Sequence, residues 1–360
     1  HYRSRRATVN TSFLRPYSKL TDEYILHNHD PEMKLGKTTT CVLITMIRIS
    51  QSGRYKVFAF AFSTLFIFGL WRNGLGFADN SPAAQAFLAQ WVKKNLGPAE
   101  TRHKDAKIDP RIIQALDPFM DKPTPVMADD GALVKAIRST VLTPPSNEPY
   151  NLTTPDLVDQ SMGQAKAVRE IFKEKKGGFF IECGALDGET LSNTLVLEHD
   201  LGWSGLLVEA DPINYQNMMS KHRKSWTVNV CLSTEMNPMK VIFKQDFQVG
   251  AIAGKSSESN NIVESGQVEV PCVPLFSLLL ALNRTTIDYF SLDVEGAEFS
   301  VLKTVPFDKL DIKVLSVEWA HVPEGKEALQ KYMEDRGYYL YTSISDWLSL
   351  GDDFIFVKKY

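Results

Sequence analysis

"GGFFIECGALDGET", Gly177 to Thr190, decides how the chain is read. An apolar run, Phe179 to Ile181, ends in Glu182, and Gly184 and Gly188 bracket a short turn. Asp187 and Glu189 lie in or just after that turn. The apolar run is strand length, and "TLSNTLVLEHDL" beyond it has helical spacing, with Thr190 as the expected cap. The stretch therefore predicts a strand, a glycine loop and a helix.

The pattern continues to the C-terminus. "SGLLVEA" reads as a strand, and "DPINYQNMMSKHR" as a helix with Asp211 as its cap and Pro212 at its first position. "WTVNVCL", "IDYFSLDVEG" and "IKVLSVEWA" read as strands, with "MKVIFKQ" and "VEVPCV" as shorter ones around a polar loop. "AEFSVLKTV" and "EGKEALQKYMEDRG" read as helices, and "QSMGQAKAVREIFKEKK" as an amphipathic lead-in. Strands alternating with helices predict an α/β, doubly wound, mostly parallel sheet. "YYLYTSI" and "DFIFVKK" have no crossover helix between them, which predicts an antiparallel hairpin at one C-terminal edge. Trp203 in "LGWSG" is expected to pack between helix and strand, and "AGKSSESNN" to form an exposed loop.

In such sheets ligands bind beyond the carboxyl ends of the strands. The loop here has neither the G-x-G-x-x-G spacing nor a Gly-Lys-Ser/Thr ending, so neither phosphate-binding motif is present. Its acids also argue against phosphate. A like charge at ~4 Å in a partly desolvated site costs on the order of a few kcal/mol. A ligand carrying an ammonium and a sulfonium reverses that sign, and S-adenosylmethionine is such a ligand. Glu209 ends the second strand about 20 residues past the loop, where a carboxylate can accept from ribose hydroxyls. A net charge of -3 and no sustained basic face give nucleic acid no electrostatic footprint.

Four segments are expected: a basic N-terminal segment 1–56, an apolar segment 57–78, a linker with short helices 79–160, and the α/β domain 161–360. "VFAFAFSTLFIFGLW" is uncharged and follows a basic flank. A signal anchor is the favoured reading, with a cleaved signal peptide and a core helix as alternatives. The anchor would place the C-terminal domain in the lumen of the secretory pathway. Within "SPAAQAFLAQWVKKNLG" and "DPRIIQALDPFM" the linker is weakly helical. Cys231 and Cys272 either pair in an oxidising lumen or stay as buried thiols.

"FIECGALDGETLSNTLVLEHDLGWSGLLVEADP", "VPCVPLFSLLLALN" and "IDYFSLDVEGAEFSVLKTVPFD" resemble the FkbM-type methyltransferase domain, in particular its arthropod Star-like branch. The resemblance covers roughly residues 165 to 358. It implies a class I, Rossmann-like methyltransferase fold with S-adenosylmethionine held around Glu182, Gly184, Asp187, Gly188, Glu209 and Asp293. Family members methylate hydroxyls, often on sugars. The Star-like branch implies a single-pass membrane protein. Such a protein helps membrane-tethered growth-factor precursors move from the endoplasmic reticulum to the Golgi and endosomes. The alternative is an active O-methyltransferase acting on a glycan or protein hydroxyl. Asp293 at a strand end and His321 in "VEWAHVPEG" are the candidate catalytic bases. Asp293, Glu295, Glu318 and His321 have no spacing that demands a metal, and none is predicted.

Overall fold

The computed structural model describes residues 106–120, 122–245, 250–256, 265–345 and 352–360. The expected segments 1–56 and 57–78, and the helix expected from Ser81, lie outside the described residues. Among the described residues, no helix is long and apolar enough to cross a membrane.

The stretch that opened the reading forms β1, Phe179–Cys183, buried at every position. Both faces of this strand are covered, which is why its sequence runs apolar without alternating. Around it lie β2, Ser204–Val208, β3, Trp226–Val228, β8, Thr286–Leu292, β9, Asp311–Glu318, β10, Tyr338–Ile344, and β11, Asp353–Lys358. The sheet order is β10-β11-β9-β8-β1-β2-β3. Strand β1 is parallel to both β2 and β8, and β8 is parallel to β9. The chain thus winds outward one way from β1 and then returns to its other side, which makes the β1/β8 boundary the switch point. The expected C-terminal hairpin is present, with β11 inserted antiparallel between β9 and β10. The fold is α/β and Rossmann-like, with a mixed sheet.

Alternate residues of β1 feed two cores, as the two-residue period of a strand requires. Ile181 joins Leu206, Phe290 and Leu315 on one face. Phe180 joins Leu207, Tyr289 and Val314 on the other. Helices α3, Gln164–Phe172, and α4, Leu195–Leu201, cover the second face, where Trp203 packs edge-on against Phe172. A Cβ on Gly178 would lie 2.4 Å from the Trp203 ring, so Trp203 is a packing residue, as its sequence context implies. Helix α5, Pro212–Met219, starts where expected, because the Asp211 carboxylate accepts the Ile213 amide. Helix α4 does not. Its cap is Thr194 rather than Thr190, because residues 190–194 are held in the loop by side-chain bonds described below.

"WTVNVCL", expected as one strand, is two. After β3 the chain leaves the main sheet at Asn229, whose side-chain amide donates to the Glu209 and Ala210 carbonyls. It then forms β4, Cys231–Leu232, in a second sheet of order β4-β7-β5-β6. That sheet includes β5, Met239–Lys244, β6, Ala251–Lys255, and β7, Gln267–Val273. Register places Cys231 opposite Cys272, and the two form a disulfide. Cys183 is a buried free thiol.

The region expected as linker is only partly one. Helices α1, Pro110–Leu116, and α2, Gly131–Ala136, followed by one wide turn Ile137–Val141, bury Ile112, Leu116, Leu133, Ile137 and Val141 in the larger core. Arg138 donates to the last carbonyls of α6, Leu275–Ala281, and Thr143 bridges to Thr227 beside β3. The apolar residues of this region are too buried for a tether.

Candidate functional site

A cleft opens at the carboxyl ends of β1, β2 and β8, where open α/β sheets hold their ligands. The loop after β1 gives Gly184 and Leu186, the end of β2 gives Val208 and Glu209, and the turn after β8 gives Asp293 and Glu295. Asn214 of α5 and Cys231, Phe243 and Ile252 of the second sheet complete it. Among the described residues, three carboxylates line this cleft, and no lysine, arginine or histidine does.

Gly184 explains how the cleft stays tight at its base. Its φ is +80°, and a Cβ there would sit 1.9 Å from the Asp293 carbonyl oxygen. Asp293 in turn donates its amide to the Cys183 carbonyl, so the ends of β1 and β8 are in direct contact. Glu209 pins the loop. Its two oxygens accept the Leu186 and Asp211 amides, each at 2.8 Å. The Ala210 amide is a third donor to this carboxylate, which leaves one lone pair for a ligand hydroxyl. Burial pushes the Glu209 carboxyl up to about 8, the nearby Asp211 charge adds to this, and the backbone donors offset part of it.

Most of the loop's acidity faces the protein itself. Glu182, at the penultimate position of β1, accepts from the Ser192 and Thr194 hydroxyls and the Asn193 amide. Asp187 accepts from the Glu189 and Thr190 amides and the Thr190 hydroxyl. Glu189 meets Lys221 at 2.6 Å and also takes the Thr153 and Thr154 amides. Burial would raise the Glu189 carboxyl, but these partners hold it below its ordinary value. Arg223 bonds the Gly188 carbonyl and pairs with Glu198 at 3.0 Å. Glu182, Asp187 and Gly188 therefore do not line the cleft, whereas Gly184, Glu209 and Asp293 do. Gly188 is needed for packing, since a Cβ there would lie 2.8 Å from Met218 Cγ. The charge argument drawn from the loop's acids thus concerns Glu209, Asp293 and Glu295, and burial weakens it at Glu209 and Asp293 by favouring their neutral forms. Lys221 and Arg223 lie distant in sequence, and no spacing links them to the loop.

The two candidate bases come together at one rim. Asp293 follows β8 and His321 follows β9, and neighbouring strands bring the two turns side by side. His321 Nδ1 lies 2.7 Å from Glu318 and 3.0 Å from Glu295. Carboxylates on Nδ1 fix the neutral ring as the Nδ1–H tautomer and leave the lone pair on Nε2. Glu298, at the start of α7, Glu298–Thr304, accepts the Val294 and Gly296 amides. Burial raises the Asp293 carboxyl well above its usual range, and the Asp353, Glu295 and Glu298 charges push it further. A carboxylate raised this way is a stronger base than a solvated one. Glu318 is raised by burial and by Asp293, and Asp353 to about 7 by burial. Sequence reasoning assigned no role to Glu298 or Asp353. The one signal for Asp353 was an acid opening an apolar strand, "DDFIFV".

Residues 182–340 match the family model described as Methyltransferase FkbM domain. This match supports the FkbM-type family for that segment, and with it S-adenosylmethionine as cofactor. No curated protein matches the sequence. Among solved structures, methyltransferase FkbM from Methylobacillus flagellatus KT aligns with 13% identity and a TM-score of 0.36. The alignment covers 74% of this chain and 60% of that one. A putative RNA methyltransferase from Pyrococcus horikoshii aligns with 13% identity and a TM-score of 0.29, covering 65% of this chain and 100% of that one. A mutant of MtNAS in complex with S-adenosylmethionine aligns with 9% identity and a TM-score of 0.30, covering 76% of this chain and 77% of that one. At these TM-scores the likenesses carry no weight of their own, and the fold rests on the strand order.

Proposed function

We propose that the FkbM-type domain is an S-adenosylmethionine-dependent O-methyltransferase acting on a hydroxyl of a glycan or protein. The observation that carries this is the cleft at the switch point, lined by Glu209, Asp293 and Glu295 with no basic side chain among the described residues. That acceptor set fits a cationic nucleoside, whose positive charge favours the ionised form of carboxyls that burial has raised, and it offers a phosphate no basic side chain. Glu209 would accept from a ribose hydroxyl, and Leu186, Val208, Phe243 and Ile252 offer apolar contact for the base. Asp293 and Glu295 would face the positive end. The bound cofactor supplies the methyl group. Asp293, or His321 through Nε2, would take the acceptor's proton.

Calorimetric titration of the full chain with S-adenosylmethionine tests this. Micromolar binding that is lost in Glu209→Ala, with the variant still folded, is the expected result. No heat from well-folded protein would defeat the reading.

A membrane-anchored, lumenal placement accompanies the proposal. The Cys231–Cys272 disulfide supports it, because such bonds persist in oxidising compartments. The basic-then-apolar order of residues 1–78 supports it too. The Star-like role in cargo trafficking draws on the same placement and on the sequence resemblance. Digestion of the C-terminal domain by protease added to sealed microsomes would rule the lumenal placement out.

A further inference from the structure

We propose that Asp293, Glu298 and Glu318 hold one divalent cation of the hard, oxygen-liking class, Mg²⁺ or Mn²⁺, at the rim of the cleft. One carboxylate oxygen from each residue lies within 4.8 Å of the other two. An all-oxygen set of this kind suits Mg²⁺ or Mn²⁺ and leaves positions for water or a substrate oxygen.

A second observation, independent of the crowding of acids, points to a ligand. Glu318 is only 6% exposed. Its Oε1 is taken by His321 Nδ1, while its buried Oε2 finds no donor among the described residues. A buried carboxylate oxygen without a partner is costly, and native proteins rarely leave one so. Asp353 stands opposite Glu318 in the β9/β11 register, and its buried Oδ1 likewise lacks a donor. Basic side chains do not meet the need. Among the described residues no lysine or arginine pairs with Asp293, Glu298 or Glu318, whereas Glu189 and Glu198 each have one. His321 orients Glu318 through Nδ1, and with Asp293 committed to the ion its Nε2 is the group left to take the acceptor's proton.

The sequence hides this site. Asp293 and Glu298 come from the turn and helix after β8, and Glu318 from the end of β9. A role in the reaction rests on the methyltransferase reading: an acceptor hydroxyl bound to the ion loses its proton more readily. Cation binding itself does not depend on that reading.

The test is a titration of the full chain, stripped with chelator and dialysed, with Mn²⁺ in the absence of S-adenosylmethionine, the free ion being followed by electron paramagnetic resonance. One ion per chain is expected. Glu318→Gln and Asp293→Asn should each weaken binding by at least ~10-fold, the lower end of what even outer-shell losses cost a metal site. Both variants should still melt in one cooperative transition, since Asn and Gln keep the shape and an acceptor oxygen of the side chains they replace. Mn²⁺ should raise the melting temperature of the parent and not of Glu318→Gln. Absence of stoichiometric binding by the folded parent would overturn the proposal in favour of a proton shared among the carboxylates. Unchanged affinity in both variants would overturn it as well. The cofactor titration, run in chelator, decides the methyltransferase reading separately.

Discussion

Gly184→Ala should be among the most damaging single-atom-scale changes in the domain. The new Cβ would lie 1.9 Å from the Asp293 carbonyl oxygen, and real contacts do not fall below 3.0 Å, so the ends of β1 and β8 must part by more than an ångström. Backbone that is itself hydrogen-bonded to β1 cannot swing aside as a flexible side chain would. A left-handed alanine costs roughly 1–2 kcal/mol, and forced displacement in a packed region a further ~1–3 kcal/mol. For a domain of this size about 2–4 °C is lost per kcal/mol, so the melting temperature should fall by roughly 4–20 °C. Gly202→Ala is the control. It shares the backbone penalty, with φ at +62°, but a Cβ there meets nothing within 4 Å. Urea denaturation of both variants separates the steric part from the backbone part. If Gly184→Ala proves no less stable than Gly202→Ala, the close approach of β1 and β8 is wrong, and with it the base of the cleft.

Two further outcomes follow from the charges. Lys221→Met removes the partner of buried Glu189, and breaking a buried pair this way costs ~3–5 kcal/mol. Adding Glu189→Gln should recover part of the loss in urea denaturation, and a single-variant cost near zero would mean that the loop is not held by this pair. The pH dependence has a defined sign. Glu209 has a folded value raised from 4.5 to about 8, so its stability contribution is complete below 4.5 and is lost as pH climbs toward 8. The melting temperature of the ligand-free parent should therefore fall between about pH 5 and pH 8 more steeply than that of Glu209→Gln. About 1.4 kcal/mol is at stake for each pH unit separating the folded from the unfolded value. Parallel curves would show that Glu209 is not buried as described.

How much was legible can be traced residue by residue. The alternating pattern gave the winding of the sheet, because a strand buried on both faces must be apolar throughout and a crossover helix must carry a polar face. Asp211 and Pro212 marked a helix start that the structure keeps, since capping is a local bond between neighbours. Thr190 marked a start that it does not keep. There the cap preference lost to other bonds within the loop, the Thr190 amide donating to Asp187 three residues earlier and the Asn193 amide to Glu182 eleven residues earlier. The break of "WTVNVCL" into two sheets was equally hidden, because what divides it is Asn229 bonding back to residues about twenty positions earlier.

The sequence by itself therefore determined the α/β class, the glycine loop at the end of the first strand, and the acids at the ends of β2 and β8. All of these are patterns of neighbours. Only the tertiary structure decided which of those acids face the cleft. It gave Glu182 to three loop donors and Glu189 to Lys221, and left Glu209, Asp293 and Glu295 on the open side. The reason is that a buried carboxylate is defined by whatever stands opposite it, and its partner can lie anywhere along the chain.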